Sequence, residues 1–149
     1  MDMIVNLYEL DKQIEENGFE VRRILSPNIH LLQKFIVENF DEGWASEASA
    51  ACYKSNPTCF IAVQEQKIIG FACFDATTKG FFGPLGVASQ YRKNGVAKAL
   101  VLKTLYAMKE DGYAYGIIGG VSEKLYGFYN KICGAKEIES TKQVYSRMI

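Results

Sequence analysis

The 149-residue chain has one histidine, one tryptophan and three prolines, and its 17 basic residues are matched by 17 acidic ones. Each scarcity narrows the chemistry. A net charge of zero gives no electrostatic reason to bind DNA, RNA or an anionic membrane. No apolar run approaches the roughly 20 residues that cross a bilayer, and Met1-Asp2-Met3-Ile4 has neither the basic start nor the apolar core of a secretory signal. The expected location is therefore cytoplasmic. The four cysteines, Cys52, Cys59, Cys73 and Cys133, form no C-x-x-C pair, and the lone His30 is distant from all of them in sequence, so no metal site is expected. Cys59 and Cys73 fall inside apolar runs, where a free thiol packs as a small hydrophobe. Also missing are G-x-x-x-x-G-K-[ST] and a G-x-G-x-x-G after a strand, which argues against a P-loop nucleotidase and a dinucleotide-binding domain.

What is present is a 48% apolar chain of the size that buries one core. Residues 3–17 put Ile4, Leu7, Tyr8 and Ile14 on one face and predict an amphipathic helix ending before Gly18. Val21–Leu25 reads as a strand stopped by Ser26-Pro27. Two helices follow: one carries Ile29, Leu32, Phe35, Ile36 and Phe40, and the other runs from about Trp44 to Tyr53 before Asn56-Pro57. Cys59–Val63 and Ile68–Phe74 flank Gln64–Lys67 as a hairpin, and Phe81–Val87 is a third apolar run. A long helix from Gly95 to about Asp111 is closed by Gly112. After it come a strand at Tyr115–Gly119, a helix with Leu125, Phe128, Tyr129 and Ile132 on one stripe, and a last strand at Val144–Ile149. The step from Val87 through the long helix to Tyr115 should be parallel and right-handed, and the hairpin is antiparallel. The expected architecture is α/β (α+β), a mixed and mostly antiparallel sheet of about six to seven strands with helices on both faces.

The stretch Val87-Ala-Ser-Gln-Tyr-Arg-Lys-Asn-Gly-Val-Ala97 joins strand to long helix. Backbone N–H groups in a first helical turn lack intrahelical partners and carry partial positive charge, so such a start suits phosphate. Arg92 and Lys93 add full charges, and Gly95 and Ala97 keep the backbone open. The spacing Arg92-x-x-Gly95-x-Ala97 resembles the acyl-CoA pyrophosphate loop of the GCN5-related N-acetyltransferases (GNAT). A second patch, Ser122-x-x-Leu125-x-x-Phe128-Tyr129, with Gly134-Ala135 behind it, is similar to a further GNAT motif, and the order of elements is the GNAT order. The resemblance covers residues 20–149 as an acetyltransferase domain and leaves 1–19 as an N-terminal helical extension, which would pair two subunits.

The resemblance implies an N-acetyltransferase that moves an acetyl group from acetyl-CoA to a primary amine of a small molecule or peptide, by direct attack in a ternary complex. Arg92, Lys93, Asn94, Gly95, Val96 and Ala97 would hold the pyrophosphate, and Leu85, Gly86 and Val87 the pantetheine. Ser122, Phe128 and Tyr129 would complete the cofactor site. Tyr129 would protonate the leaving thiolate, since a phenol with a reference pKa of about 10 keeps its proton at neutral pH. Its place on the stripe with Leu125 and Ile132 equally suits a core aromatic. Gly83-Pro84 and Gly86 suit a bulge or a close backbone approach. Ser122 stands where family members commonly have Asn, and its other role is a helix N-cap. Leu125 replaces a small residue. Phe81–Val87 carries no carboxylate, so Asp75 or Glu47 would serve as base, directly or through water, unless the amine arrives neutral. Trp44, Glu47, Asp75 and Phe82 are the expected acceptor-side residues. The missing carboxylate also fits an alternative, a catalytically silent acyl-CoA-binding or protein-interaction module.

Overall fold

The structure, a computed structural model, describes residues 1–140 and 142–149. Seven strands form one sheet in the order β2-β3-β4-β5-β6-β1-β7. They are β1 (Asp2–Asn6), β2 (Glu20–Arg23), β3 (Cys59–Gln64), β4 (Lys67–Phe74), β5 (Phe81–Val87), β6 (Tyr115–Ile118) and β7 (Lys136–Ile138). Helices α1 (Ile29–Asn39) and α2 (Glu42–Cys52) precede β3, α3 (Val96–Glu110) joins β5 to β6, and α4 (Glu123–Cys133) joins β6 to β7. Among the described residues no helix is long and apolar enough to cross a membrane.

The period of two in the central strands explains the layering. On β3 and β4, Phe60, Ala62, Ala72 and Phe74 join the core built with α3 and α4, while Cys59, Ile61, Phe71 and Cys73 join the one built with α1 and α2. Both faces are covered, which is why these strands read as unbroken apolar runs. Cys59 and Cys73 are opposite each other across the β3–β4 pair, free and buried. Every neighbouring pair of strands is antiparallel except β5–β6, the parallel step that spans α3.

Two sequence expectations are overturned. No helix covers 3–17, and residues 1–19 are not a helical extension: β1 is a strand hydrogen-bonded on both sides, with Met3 facing Ile118 on β6 and Glu137 on β7. The helical face chosen from the sequence put Tyr8 inside, yet Tyr8 is 70% exposed, while Met3 and Val5, two apart as a strand requires, are fully buried. Pairing between β6 and β7 outweighs local helical periodicity here. The expected two-subunit contact through that helix loses its basis. After a 3₁₀ turn at Leu7–Glu9 the chain crosses α3, where the Tyr106 hydroxyl donates to the Lys12 carbonyl at 2.7 Å.

The second correction is at the other end. Val144–Arg147 is a 3₁₀ turn and not a strand. Its Tyr145 hydroxyl is engaged by Glu47 of α2, and the Ser146 N–H bonds the Gln143 carbonyl at 3.0 Å. The interior place beside β6 belongs to β1. The edge strand β7 carries no apolar alternation that would reveal it, since Lys136 and Glu137 are exposed.

Truncating a fully buried Met3 to Ala should cost about 2–5 kcal/mol in urea unfolding. Tyr8→Ala, which removes an exposed ring paired edge-on with Tyr115, should cost under about 1.5 kcal/mol. A helix over 3–17 would reverse that order.

Candidate functional site

The site begins where the sheet comes apart. Parallel pairing of β5 with β6 lasts for two positions, Phe81 with Ile117 and Phe82 with Ile118. There β6 ends, while β5 continues along β4, setting Leu85 against Ala72 and Val87 against Gly70. Gly83, at φ 121°, makes a turn of backbone that only glycine takes readily, and Pro84 offers no N–H. The chain after β6 is drawn toward β1: the Gly120 N–H donates to Asp2 Oδ1 at 3.1 Å and the Val121 N–H to the Met1 carbonyl at 2.7 Å. A cavity of about 230 Å³ opens between the parted strands, bordered by Leu85, Gly119, Leu125, Tyr129, Tyr145 and Trp44.

At the far end of β5, a 3₁₀ turn at Ser89–Tyr91 leads into Lys93 at φ 71° and Gly95 at φ 80°, and α3 starts at Val96. Gly95 occupies the N-cap and no side chain caps the helix, so its first N–H groups are free of that competition. A Cβ on Gly95 would meet only the Asn17 amide nitrogen, 4.0 Å away, so glycine is needed for its left-handed backbone and not for space. Arg92 Nε donates to the Val87 carbonyl at 3.2 Å, which ties the loop to the strand end and engages one of the groups expected to hold pantetheine. Asn94 Nδ2 reaches the Asn17 carbonyl at 3.4 Å. Arg92 and Lys93 are exposed.

Tyr129 is 6% exposed and lines the cavity. Its ring packs edge-on against Phe82 at 6.3 Å and Phe128 at 5.0 Å, so it is part of the core and of the cavity wall at once. Burial, with a smaller contribution from nearby Cys133, pushes its phenol well above the ordinary range. At neutral pH the phenol keeps its proton. Ser122 occupies the N-cap of α4 but its side chain caps nothing, while its carbonyl accepts from the Leu125 N–H at 3.0 Å.

The acceptor-side candidates divide. Trp44 and Phe82 line the cavity, and Trp44 also stacks on Phe40 at 5.1 Å and meets Phe71 edge-on at 6.1 Å. Glu47 lies one wall away, where Tyr145 separates this cavity from a second groove. Thr77 and Tyr145 both donate hydroxyls to Glu47 Oε1, and burial and that carboxylate raise the Tyr145 phenol. Asp75 stands apart: Oδ1 accepts from the Gly80 N–H and Oδ2 from the Tyr113 hydroxyl, each at 2.7 Å, and it borders a different cleft near the end of α3. Burial, and then that bond, push the Tyr113 phenol up to about 12.

Sequence reasoning missed Tyr145, Thr77 and Phe40. A Cβ on Gly86 would lie 2.6 Å from the Phe40 ring and 3.0 Å from Phe71, so Gly86 is glycine because an aromatic ring rests on it. Gly127 on α4 has nothing within 4 Å of a built Cβ, so no close approach explains it.

The sequence profile of the acetyltransferase (GNAT) family matches residues 25–135. The chain belongs to this family. Among curated proteins none matches the sequence. Solved GNAT structures share the fold. One is a GCN5-related glucosamine N-acetyltransferase region of a fungal multi-domain GH3 β-N-acetylglucosaminidase, at TM-score 0.73 and 16% identity over 91% of this chain. Another is a GCN5-related N-acetyltransferase from Sphaerobacter thermophilus, at 0.69 and 20% over 91%. This chain spans 19% of the first and 47% of the second. An aminoglycoside N-acetyltransferase in complex with CoA matches at 0.64 and 16% identity, covering 86% of this chain and 94% of its own.

The two glycines should respond oppositely to alanine. Gly86→Ala should destabilise by about 1–3 kcal/mol through overpacking against Phe40. Gly127→Ala, open and mid-helix, should stabilise by about 0.5–1 kcal/mol, both read from urea midpoints.

Proposed function

We propose that this GNAT protein transfers the acetyl group of acetyl-CoA to a primary amine, which attacks directly within a ternary complex. The observation that carries the reading is that one strand joins two features: an uncapped start of α3 beyond one end of β5, and strands that part beside a buried tyrosine toward the other. Acetyl-CoA supplies an activated thioester when bound.

The chain's own groups divide the work. Free N–H groups at Val96 and Ala97 receive the diphosphate, with Arg92 and Lys93 adding charge. Lys93 and Gly95 hold the left-handed turns that aim those amides, and Asn94 braces the loop on Asn17. Backbone groups of β5 that β6 leaves unpaired, those of Leu85 above all, receive the pantetheine amides in the manner of an added strand. Gly86 keeps Phe40 seated behind that strand, Phe128 packs edge-on against Tyr129, and Ser122, whose hydroxyl caps nothing, is left to meet the cofactor. As nitrogen bonds the carbonyl carbon and the C–S bond breaks, Tyr129 would deliver its proton to the sulfur, and the proton shed by the nitrogen, passed directly or through water, would restore the phenol. Trp44 and Phe82 close the acceptor side against water.

A second reading is kept by one observation: β5 has no Asp or Glu, and Asp75 is committed to its turn. A binding module without turnover would look the same there. An amine panel followed by release of free CoA separates the two readings, since the module releases none.

Isothermal titration should detect acetyl-CoA, and Arg92→Glu should weaken it about tenfold or more, the scale of one charge-assisted hydrogen bond. Absence of binding at millimolar ligand would remove both readings.

Tyr129→Phe should lower turnover with little change in cofactor affinity. The active form is the protonated phenol, and its pKa lies above the ordinary value, so this donor is lost only as pH rises through that raised pKa. The kcat profile should therefore show no alkaline fall from Tyr129 below a pH of about 10. A fall at pH 8 that vanishes in the Phe variant would contradict the assignment.

A further inference from the structure

We propose that Phe40 is a positioning residue for the coenzyme: its ring, resting on the bare Cα of Gly86, holds the main chain of Leu85 and Val87 at the spacing where an extended diamide, the pantetheine arm, bonds to both. The proposal rests on the acetyl-transfer reading and adds how that site keeps its shape.

The register of β4 with β5 shows which groups are open. The Ala88 N–H bonds the Ile69 carbonyl at 2.9 Å, and antiparallel pairs alternate between bonded and unbonded, so Phe71–Gly86 is bonded while Gly70–Val87 and Ala72–Leu85 are not. Leu85 and Val87 therefore turn their N–H and C=O groups away from β4, toward the side that β6 has left. Donation by Arg92 Nε to the Val87 carbonyl agrees with that direction. Gly86 lies midway between the two open positions.

A strand takes its place in a sheet from the ladders on its two edges. Beyond Phe82, β5 has a ladder on β4 alone, so side chains must fix its height. On one face the Phe40 ring does so, since a Cβ on Gly86 would meet two of its carbons at 2.6 Å. On the other face Leu100 of α3 closes on the β4–β5 pair at Gly70, where a Cβ would meet it at 3.0 Å. The ring has no room to retreat. The Phe40 N–H ends α1 on the Ile36 carbonyl at 2.8 Å, the next residue, Asp41, caps α2 through the Trp44 N–H, and Phe35, Trp44 and Phe71 surround the ring at centroid distances of 5.1–6.1 Å. Without the ring, β5 is free to shift toward α1 and α2, which moves Leu85 and Val87 out of register with the two amides.

Two probes are titrated calorimetrically against the full chain: acetyl-CoA, and adenosine 3′,5′-bisphosphate, which lacks the pantetheine arm. Phe40→Leu should weaken acetyl-CoA about tenfold, the scale of one or two lost backbone hydrogen bonds, and leave the bisphosphate unchanged. Leu32→Ala, which takes volume from the same core and keeps the ring, should lower the melting midpoint with both affinities unchanged. Gly86→Ala should weaken acetyl-CoA in the wild-type chain, where the methyl meets the ring, and restore it in Phe40→Leu, where the methyl takes the vacated space. A bisphosphate loss equal to the acetyl-CoA loss, full acetyl-CoA affinity in Phe40→Leu, the same loss in Leu32→Ala, or Gly86→Ala acting with one sign in both backgrounds would overturn the proposal. Where Phe40→Leu does not fold, Gly86→Ala alone decides, because undiminished acetyl-CoA affinity in that variant overturns the proposal too. A wild-type chain that binds no acetyl-CoA strikes the transfer reading itself, a result distinct from wild-type binding that the Phe40 and Gly86 variants leave untouched.

Discussion

One junction organises the molecule: the parallel contact of β5 with β6, which holds for two residue pairs and then lets go. A sheet edge opened inside a sheet leaves backbone donors and acceptors unpaired, and these must be met by water or by another chain-like ligand. Everything around the junction keeps it open in a fixed shape. On one side β4 holds β5 through Val87. On the other, β1 pulls the segment after β6 away through Asp2 and Met1. The N-terminal strand is therefore a structural brace of the site, not an appendage.

The aromatic residues around the opening have two jobs at once. Tyr129 is buried enough that its phenol holds its proton firmly, yet it still reaches the cavity wall. Trp44 belongs to the stack with Phe40 and Phe71 and also borders the opening. The sequence alternatives of core aromatic or functional aromatic are thus not exclusive, because the cavity is cut into the core itself.

Most of the fold was legible wherever local pattern and burial agree. The hairpin β3–β4, the long α3 and the stripe of α4 are each set by apolar spacing and end signals that survive into the structure. The two ends of the chain were misread for a common reason. Residues 2–6 and 144–147 take their form from partners over 100 and nearly 100 positions away, and nothing local announces a strand that slots between β6 and β7 or a turn that docks on Glu47. The spacing of Arg92, Gly95 and Ala97 at the start of α3 was visible because it is contiguous. The tyrosine and threonine on Glu47 were not, because a constellation assembled from three distant segments has no linear signature. Gly86 could be read as a place of bulge or close approach, but not what approaches it, since the Phe40 ring lies 46 positions earlier.

That ring has a wider meaning. Phe40 joins the end of α1 to the start of α2 and presses directly on the main chain of β5. Repositioning those helices would tilt the ring into the strand beneath. Movement of these helices is thereby mechanically coupled to β5, and the positions that leave Phe40 in place, such as those on the outer turns of α2 and at the C-terminus, are the ones free to vary without disturbing that strand.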